Sequence, residues 1–141
     1  MKISAKVRYA VKILVDIALE KDNSLTISSI AKRENISNNY LRQLVMLMVQ
    51  EGILKTLRGK NGGVFLAKEP KDITVYSLYR LLEGELFISD CLKPIVHCES
   101  SHNKPCFISD IWNEVNKAVI QVLTTMTLAD ILEKGEEYYN V

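Results

Sequence analysis

The sequence lacks any apolar run near the ~20 residues that a membrane-spanning helix needs, and no separate apolar targeting segment opens it. We therefore expect a cytoplasmic protein without a membrane partner. Catalytic patterns are also missing: there is no phosphate-binding loop, no nucleophile with a paired base, and no histidine with a carboxylate spaced for general-base chemistry. These absences argue against an enzyme.

Cysteine is scarce and odd in number: the 141 residues include only Cys91, Cys98 and Cys106. An odd count argues against a disulfide framework and favours free thiols or metal ligands. The three are separated by six and seven residues, which is not the paired C-x-x-C spacing of a structural zinc site. Wide spacing suits an iron-sulfur cluster, but the residues alone leave a cluster, zinc and unliganded thiols all open.

Charge is divided unevenly, although the net charge is only +1. Residues 1–72 hold 13 Lys and Arg against 7 Asp and Glu, a net of +6, and residues 73–141 hold 5 against 10, a net of −5. The length suffices for one domain with a core, or for a DNA-binding domain with an oligomerisation helix, but not for two large domains. Because DNA attracts cationic surfaces, the first half is the expected DNA-binding half.

A helix-turn-helix pattern lies in this basic half. Thr26 is the expected cap of a short helix that turns through residues 34–36, and Ser37 is the expected cap of a second helix that ends at Gly52. The first helix should bury Ile27, Ile30 and Ala31. The second repeats apolar residues at three- and four-residue spacing: Leu41, Leu44, Val45 and Met48. In this arrangement the second helix enters the major groove.

Polar residues on the other face of the second helix are candidate DNA contacts: Ser37, Asn38, Asn39, Tyr40, Arg42 and Gln43. A solvated face is the alternative. Two strand-like runs, residues 53–57 and 64–67, then flank a turn with two cations, three glycines and no acid. This predicts a wing whose Arg58 and Lys60 lie near phosphates, with Arg58 able to enter a narrow minor groove.

Further helices are predicted around this module. One should open the chain over residues 4–21, and another should run from Thr74 to Gly84. Residues 106–126 form the longest predicted helix, with near-heptad apolar residues: Ile108, Ile111, Trp112, Val115, Val119, Val122 and Met126. A stripe this long predicts a two-fold dimer interface, with an internal core helix as the alternative. Thr127 and Asp130 should cap a last short helix ending at Leu132.

The predicted architecture is mainly α: a winged helix-turn-helix DNA-binding domain over residues 1–84 and a cysteine-containing sensor loop over residues 85–105. A dimerisation helix and C-terminal tail follow over residues 106–141. The loop has no helical or strand period, and besides cysteines it holds His97 and His102.

Several segments together resemble the Rrf-type family of bacterial winged-helix transcription regulators. The matching residues are Met1-Lys2-Ile3-Ser4 with Arg8-Tyr9-Ala10, Ile36-Ser37 with Tyr40-Leu41 and Gln43-Leu44, Arg58-Gly59 with Gly62-Gly63, and Thr127-Leu128. They cover essentially the whole chain. The family includes the iron-sulfur cluster regulator, the nitric-oxide-sensing repressor and the cysteine-metabolism repressor.

The resemblance implies a two-iron two-sulfur cluster on Cys91, Cys98 and Cys106, because cluster-binding members of the family place three cysteines in this loop. Their fourth ligand has no counterpart here: Ser109 stands where one type has histidine, and Arg8 stands where another has an acid. His102 is the candidate replacement and His97 is the alternative, since imidazole is a competent iron ligand.

The expected function is a homodimeric repressor or activator that binds a double-stranded DNA operator and senses redox state, nitric oxide or iron-sulfur status through the cluster. Two alternatives stay open. One is a cluster-free repressor controlled by a regulatory partner protein. The segment Leu82-Glu83-Gly84 resembles the cysteine-metabolism repressor type, which has no cluster. The other is a zinc-stabilised structural interaction module.

Overall fold

The computed structural model describes residues 2–21, 25–94 and 106–139. Within these ranges it contains six α-helices and one two-stranded sheet: α1 Ala5–Leu19, α2 Ile27–Glu34, α3 Asn38–Gln50, β1 Leu54–Leu57, β2 Gly63–Leu66, α4 Val75–Glu83, α5 Phe107–Thr125 and α6 Leu128–Tyr139. Single 3-10 turns lie at Pro70–Asp72 and Asp90–Leu92. The prediction of a mainly α winged helix-turn-helix fold is confirmed. None of the described helices is long and apolar enough to cross a membrane.

Hydroxyl side chains determine where most of the helices begin. The Oγ atoms of Ser4, Ser37 and Thr74 each accept a backbone N–H from the third residue of the helix that follows, at 3.3, 3.2 and 3.0 Å. Thr26 and Ser29 bond reciprocally in a capping box. Such caps satisfy N–H groups that have no partner inside the helix, and each contributes about 1 kcal/mol. These caps agree with the predicted helix starts.

The turn between α2 and α3 depends on Asn35, which adopts a left-handed conformation at φ 52°. The Asn35 N–H donates to carbonyls in the last turn of α2, and the Ile36 N–H donates to the Ala31 carbonyl at 3.0 Å. Asparagine tolerates this backbone region better than most residues. The chain therefore reverses in two residues and enters α3 at Ser37.

One apolar core joins α1 to the helix-turn-helix, the sheet and α4. It contains residues from nearly every element, among them Ala10, Ile13, Leu14, Ile30, Leu41, Leu44, Val45, Met48, Leu54, Val64, Ile73, Leu78 and Leu128. The predicted inward residues of α3 are all buried. Ile13 of α1 is fully buried as well.

The wing is an antiparallel hairpin in which Leu54 pairs with Leu66 and Leu57 with Gly63. Its tip is closed by the bond from the Gly62 N–H to the Gly59 carbonyl, 3.0 Å. A Cβ on Gly62 would lie 2.4 Å from the Leu57 carbonyl oxygen, so no larger residue fits there without moving the backbone. Glycine thus allows the tight tip that carries Arg58 and Lys60.

The C-terminal helices pack back on this core. Thr74 and Thr127 form an isolated bridge, with the Val75 N–H bonded to the Met126 carbonyl and the Leu128 N–H to the Ile73 carbonyl. The predicted Thr127–Asp130 cap is present, with two bonds of 2.7 and 2.8 Å to the Asp130 carboxylate. The prediction that this helix ends at Leu132 is wrong, because α6 continues to Tyr139 through residues 133–137, which are mostly good helix formers.

Candidate nucleic-acid interface and cysteine loop

The polar face of α3 is directed away from the core, at the end where Ser37 caps the helix. Five of the six predicted contacts in this segment are exposed: Ser37, Asn38, Asn39, Arg42 and Gln43. Leu41, Leu44 and Val45 lie on the opposite face and are buried. Because the buried face fixes the rotation of the helix, the exposed amides and guanidinium are presented together to solvent.

Tyr40 differs from the other predicted contacts because it is half-buried. Its ring packs edge-to-face on Tyr9 of α1, with centroids 6.1 Å apart and an interplanar angle of 80°. Burial raises the pKa of the Tyr40 hydroxyl. Tyr40 therefore connects α3 to α1 through its ring, while its hydroxyl stays protonated at neutral pH.

The wing and α3 form the two walls of one groove of about 440 Å³. Arg42 of α3 and Arg58 at the end of the wing strand both line it, and Lys60 is exposed at the nearby tip. The groove also includes Met46 and Thr56, which the sequence prediction did not single out. Met46 is exposed four residues after Arg42, on the same helix face, and Thr56 lies two residues before Arg58. These spacings are the signals that could have identified them.

Ion pairs hold α2 against α1 behind this surface. The Lys12 ammonium contacts Glu34 at 2.7 Å, and the Arg33 guanidinium lies 3.6 Å from Asp16 and 3.7 Å from Glu20. Oδ2 of Asp16 is buried without a hydrogen-bond partner. Burial raises the pKa of Asp16, and the Arg33 charge opposes that shift. Arg33 of α2 and Lys12 of α1 are thus engaged in ion pairs, whereas Arg42, Arg58 and Lys60 have no ion-pair partner among the described residues.

Cys91, within the predicted loop, and Cys106, directly after it, are both half-buried. Cys91 lies in the 3-10 turn Asp90–Leu92, which packs against α5, and its Sγ is 3.0 Å from Oγ of Ser89. Cys106 is the N-cap of α5. Cys98, His97 and His102 lie outside the described residues. Within the described ranges, no group of three or more His, Cys, Asp or Glu side chains is arranged to hold a metal ion.

Ser109, which stands where one type of the family has a histidine ligand, makes a hydrogen bond within the first turn of α5. Its Oγ donates to the Cys106 carbonyl at 2.6 Å. The polar residue that the sequence prediction missed in this region is Asn116, which lies on α5 and bonds the chain segment that leads to Cys91.

Comparison with known proteins identifies the family. The family model described as "Rrf2: Iron-dependent Transcriptional regulator" matches residues 3–134, nearly the whole chain. The chain belongs to the Rrf2 family. This Rrf2 protein is therefore a DNA-binding transcription regulator and not an enzyme, and the predicted family resemblance is confirmed.

Relatives of this Rrf2 protein align over nearly their full lengths. The HTH-type transcriptional regulator CymR of Bacillus subtilis is 35% identical over 132 residues, 93% of this chain and 89% of CymR. The solved structure of that protein, the global cysteine regulator of B. subtilis, superimposes with a TM-score of 0.78 at 32% identity, covering 95% of this chain and 98% of the other. For T. potens IscR the TM-score is 0.77 at 33% identity, with coverage of 99% and 91%.

Proposed function

We propose that this Rrf2 regulator is a homodimer that binds a roughly palindromic operator through α3 and the wing. The observation that carries the proposal is the shared groove of Arg42 and Arg58, because it aligns the polar helix face and the wing toward one ligand. A duplex can then receive α3 in its major groove and the wing along its backbone. Arg42 and Gln43 have the donors and acceptors that base edges require.

An exposed apolar stripe on α5 supports the dimer. Phe107, Ile111 and Val122 are 75%, 54% and 56% exposed, and four further large apolar residues of the same segment are exposed: Ile108, Trp112, Val115 and Met126. Large contiguous apolar surface is costly in water and marks an interaction site. A two-fold axis through α5 would pair identical stripes and bring two α3 helices to two half-sites.

The cysteine loop is the proposed sensor, holding a [2Fe–2S] cluster through Cys91, Cys98 and Cys106. Its two described cysteines fit this role because both are half-buried and both are held at α5, one in its cap and one in a turn packed on it. The family model's description as iron-dependent agrees with it. Since the Ser109 hydroxyl is committed to the Cys106 carbonyl, His102 is the proposed fourth ligand. The bound cluster would supply sensitivity to redox state, nitric oxide or iron-sulfur status.

A second candidate is a cluster-free repressor controlled by a regulatory partner protein. The observation in its favour is the likeness to CymR, which is described as a cysteine regulator and matches this chain over nearly its whole length. The thiols would then be redox switches or have no regulatory role. A zinc-stabilised interaction module is the third account of the same cysteines.

Protein purified without oxygen separates these accounts through its iron, zinc and acid-labile sulfide content. The cluster predicts coloured protein containing iron and sulfide, with most of the cluster lost in each of Cys91→Ala, Cys98→Ala and Cys106→Ala and part of it lost in His102→Ala. Colourless, iron-free protein that still binds its operator tightly would overturn the cluster and favour the second candidate. Stoichiometric zinc without sulfide would favour the third.

DNA recognition is tested by measuring operator and random-DNA affinities of Arg42→Ala and Gln43→Ala. Each should cost about 1–3 kcal/mol on the operator and much less on random DNA, if the side chains read bases. Lys134→Ala, which removes an exposed cation from α6, is the matched control and should leave both affinities unchanged. Equal losses on both DNAs would assign Arg42 and Gln43 to phosphate contacts instead.

A further inference from the structure

Asn116 is an exception on α5. In the described ranges it is the only polar side chain that is buried, with 6% exposed, whereas most of the large apolar residues of the same helix are exposed and none is buried. A buried amide without partners would be costly, so its hydrogen bonds show what the position requires.

Both polar atoms of the Asn116 side chain bond one short backbone segment. Nδ2 donates to the Leu86 carbonyl at 3.1 Å, and Oδ1 accepts the Ile88 N–H at 2.9 Å. Exchanging the amide oxygen and nitrogen would set donor against donor and acceptor against acceptor, so the two partners determine the orientation. The side chain therefore acts as a two-point clamp on residues 86–88.

The clamp lies immediately before the first cysteine. Gly84, at φ 83°, ends α4 and turns the chain; Leu86 then enters the core with 1% exposed. Only two residues separate Ile88 from Cys91, and the bond from the Leu92 N–H to the Ser89 carbonyl, 3.2 Å, closes the turn that holds the cysteine. Little backbone freedom is left between the clamped amide and the Cys91 sulfur.

We propose that Asn116 is a positioning residue for the cysteine loop. It fixes the segment before Cys91 to the middle of α5, while Cys106 is fixed to the start of the same helix as its N-cap. The two anchor points are ten residues apart, about 15 Å along the helix axis. The segment before Cys91 and the residue Cys106 are thus both attached to the helix that carries the proposed dimer stripe. A rearrangement of the loop then acts on that helix at two separated points.

The regulatory meaning of the clamp rests on the proposed function, but the clamp itself can be measured in reduced, cluster-free protein. Cys91 is made the single thiol by Cys98→Ser and Cys106→Ser, and its rate of alkylation by a maleimide is compared with and without Asn116→Ala. We expect a rise of roughly tenfold, equivalent to about 1.4 kcal/mol of local opening, since two backbone hydrogen bonds are lost.

Two controls distinguish positioning from general loosening. Asn113→Ala removes the same side chain from an exposed position of α5 and should leave the Cys91 rate unchanged. In the reciprocal background that retains only Cys106, Asn116→Ala should change the alkylation rate less than about twofold, because that cysteine is held by the helix itself. An unchanged Cys91 rate in folded Asn116→Ala, or equal rises at both cysteines, would overturn the proposal.

Asn116→Asp serves if the alanine variant does not fold. It keeps an acceptor for the Ile88 N–H but sets a second acceptor against the Leu86 carbonyl, so a rise in the Cys91 rate is again expected and a wild-type rate would overturn the clamp. With the cluster loaded, Asn116→Ala should also reduce the difference in operator affinity between cluster-bound and cluster-free protein. Colourless wild-type protein would overturn the proposed cluster, whereas the alkylation rates would still decide on the clamp.

Discussion

The DNA-binding half and α5 use apolar side chains in opposite ways. From α1 to β2 most of the large apolar residues are buried or half-buried, and Leu14, Leu41 and Met48 are completely buried. On α5 most of the large apolar residues are exposed, and the one buried residue is an asparagine. The first pattern describes a domain that completes its own core, and the second describes a surface that needs another molecule.

Charge follows the same division. The first 72 residues carry a net charge of +6 and residues 73–141 carry −5. Several acids of the basic half are occupied by ion pairs inside the protein: Asp16 and Glu20 with Arg33, and Glu34 with Lys12. Arg42 and Arg58 line the groove and Lys60 is exposed at the wing tip, and none of the three has an ion-pair partner among the described residues. An acidic second half would be repelled by the same duplex, which helps to orient the protein on DNA.

Replacing Val115 with aspartate should break the outward apolar surface and produce the largest effect. Val115 is 43% exposed in the middle of the stripe. In a dimer joined through this stripe, the aspartate carboxylate would be buried against the second copy without a partner, which is costly. We expect a monomer by analytical ultracentrifugation. Loss of simultaneous binding to two half-sites should weaken operator affinity roughly 100- to 10,000-fold.

The matched control for Val115→Asp is Asn113→Asp, which adds the same charge to the same helix at an exposed polar position. It should remain dimeric with nearly unchanged operator affinity. If Val115→Asp also remains a dimer, the stripe is not the interface, and another surface must join the two copies.

Truncating Leu41 should show that the inward pattern stabilises each chain. Leu41 is 0% exposed, so Leu41→Ala should lower the free energy of unfolding by about 2–5 kcal/mol, measured by urea titration. Val122, which is 56% exposed on α5, is the contrasting site: in the monomeric Val115→Asp background, Val122→Ala should cost about 0.5 kcal/mol or less. Similar losses at both sites would mean that α5 is packed within its own chain.

Local patterns in the sequence predicted most of the DNA-binding half correctly. The Ser37 cap and the buried face of α3 depend on residues within a few positions of one another, so spacing alone identifies them. The same spacing placed Arg42 on the exposed face, and the two-strand pattern placed Arg58 beside the wing tip. That these two side chains line one groove depends on tertiary packing, which a linear pattern can only suggest.

Asn116 was not predictable because its partners are distant in the sequence. Leu86 and Ile88 lie 30 and 28 residues away, and a single asparagine among apolar residues gives no local sign of whether it is buried or exposed. The extent of α6 was missed for a related reason. The cap at Thr127 and Asp130 marks a beginning, but no proline follows before Tyr139, and Gly135 lies within α6 without ending it. The predicted domain boundaries and individual DNA contacts stay predictions.

Arg58→Ala should have a moderate effect that separates wing contacts from helix contacts. We expect a loss of roughly 1 kcal/mol in operator affinity, larger when the flanks of the site are A/T-rich, because a narrow minor groove attracts the guanidinium. Lys60→Ala removes the neighbouring cation at the tip and should weaken binding about equally with either flank. Affinities measured on operators that differ only in their flanks test this, and no flank dependence for Arg58→Ala would remove the wing from sequence readout.

The smallest expected effects are the opposite pH dependences of two carboxylates, one in each half. Hydrogen bonds from the Thr127 backbone and side chain lower the pKa of Asp130, so its stabilising contribution is present above the ordinary value of 3.8 and is lost as pH falls through the lowered folded-state pKa. Asp130→Asn should therefore be less stable than wild type at pH 7, with the difference disappearing in acid.

Burial raises the pKa of Asp16, so its charged form opposes folding at neutral pH, and this cost is relieved as pH falls toward 3.8. Asp16→Asn should be more stable than wild type at pH 7 and equal to it in acid. Urea midpoints measured between pH 3 and 8 check both signs, and a destabilised Asp16→Asn at pH 7 would show that the Arg33 ion pair outweighs the cost of burial.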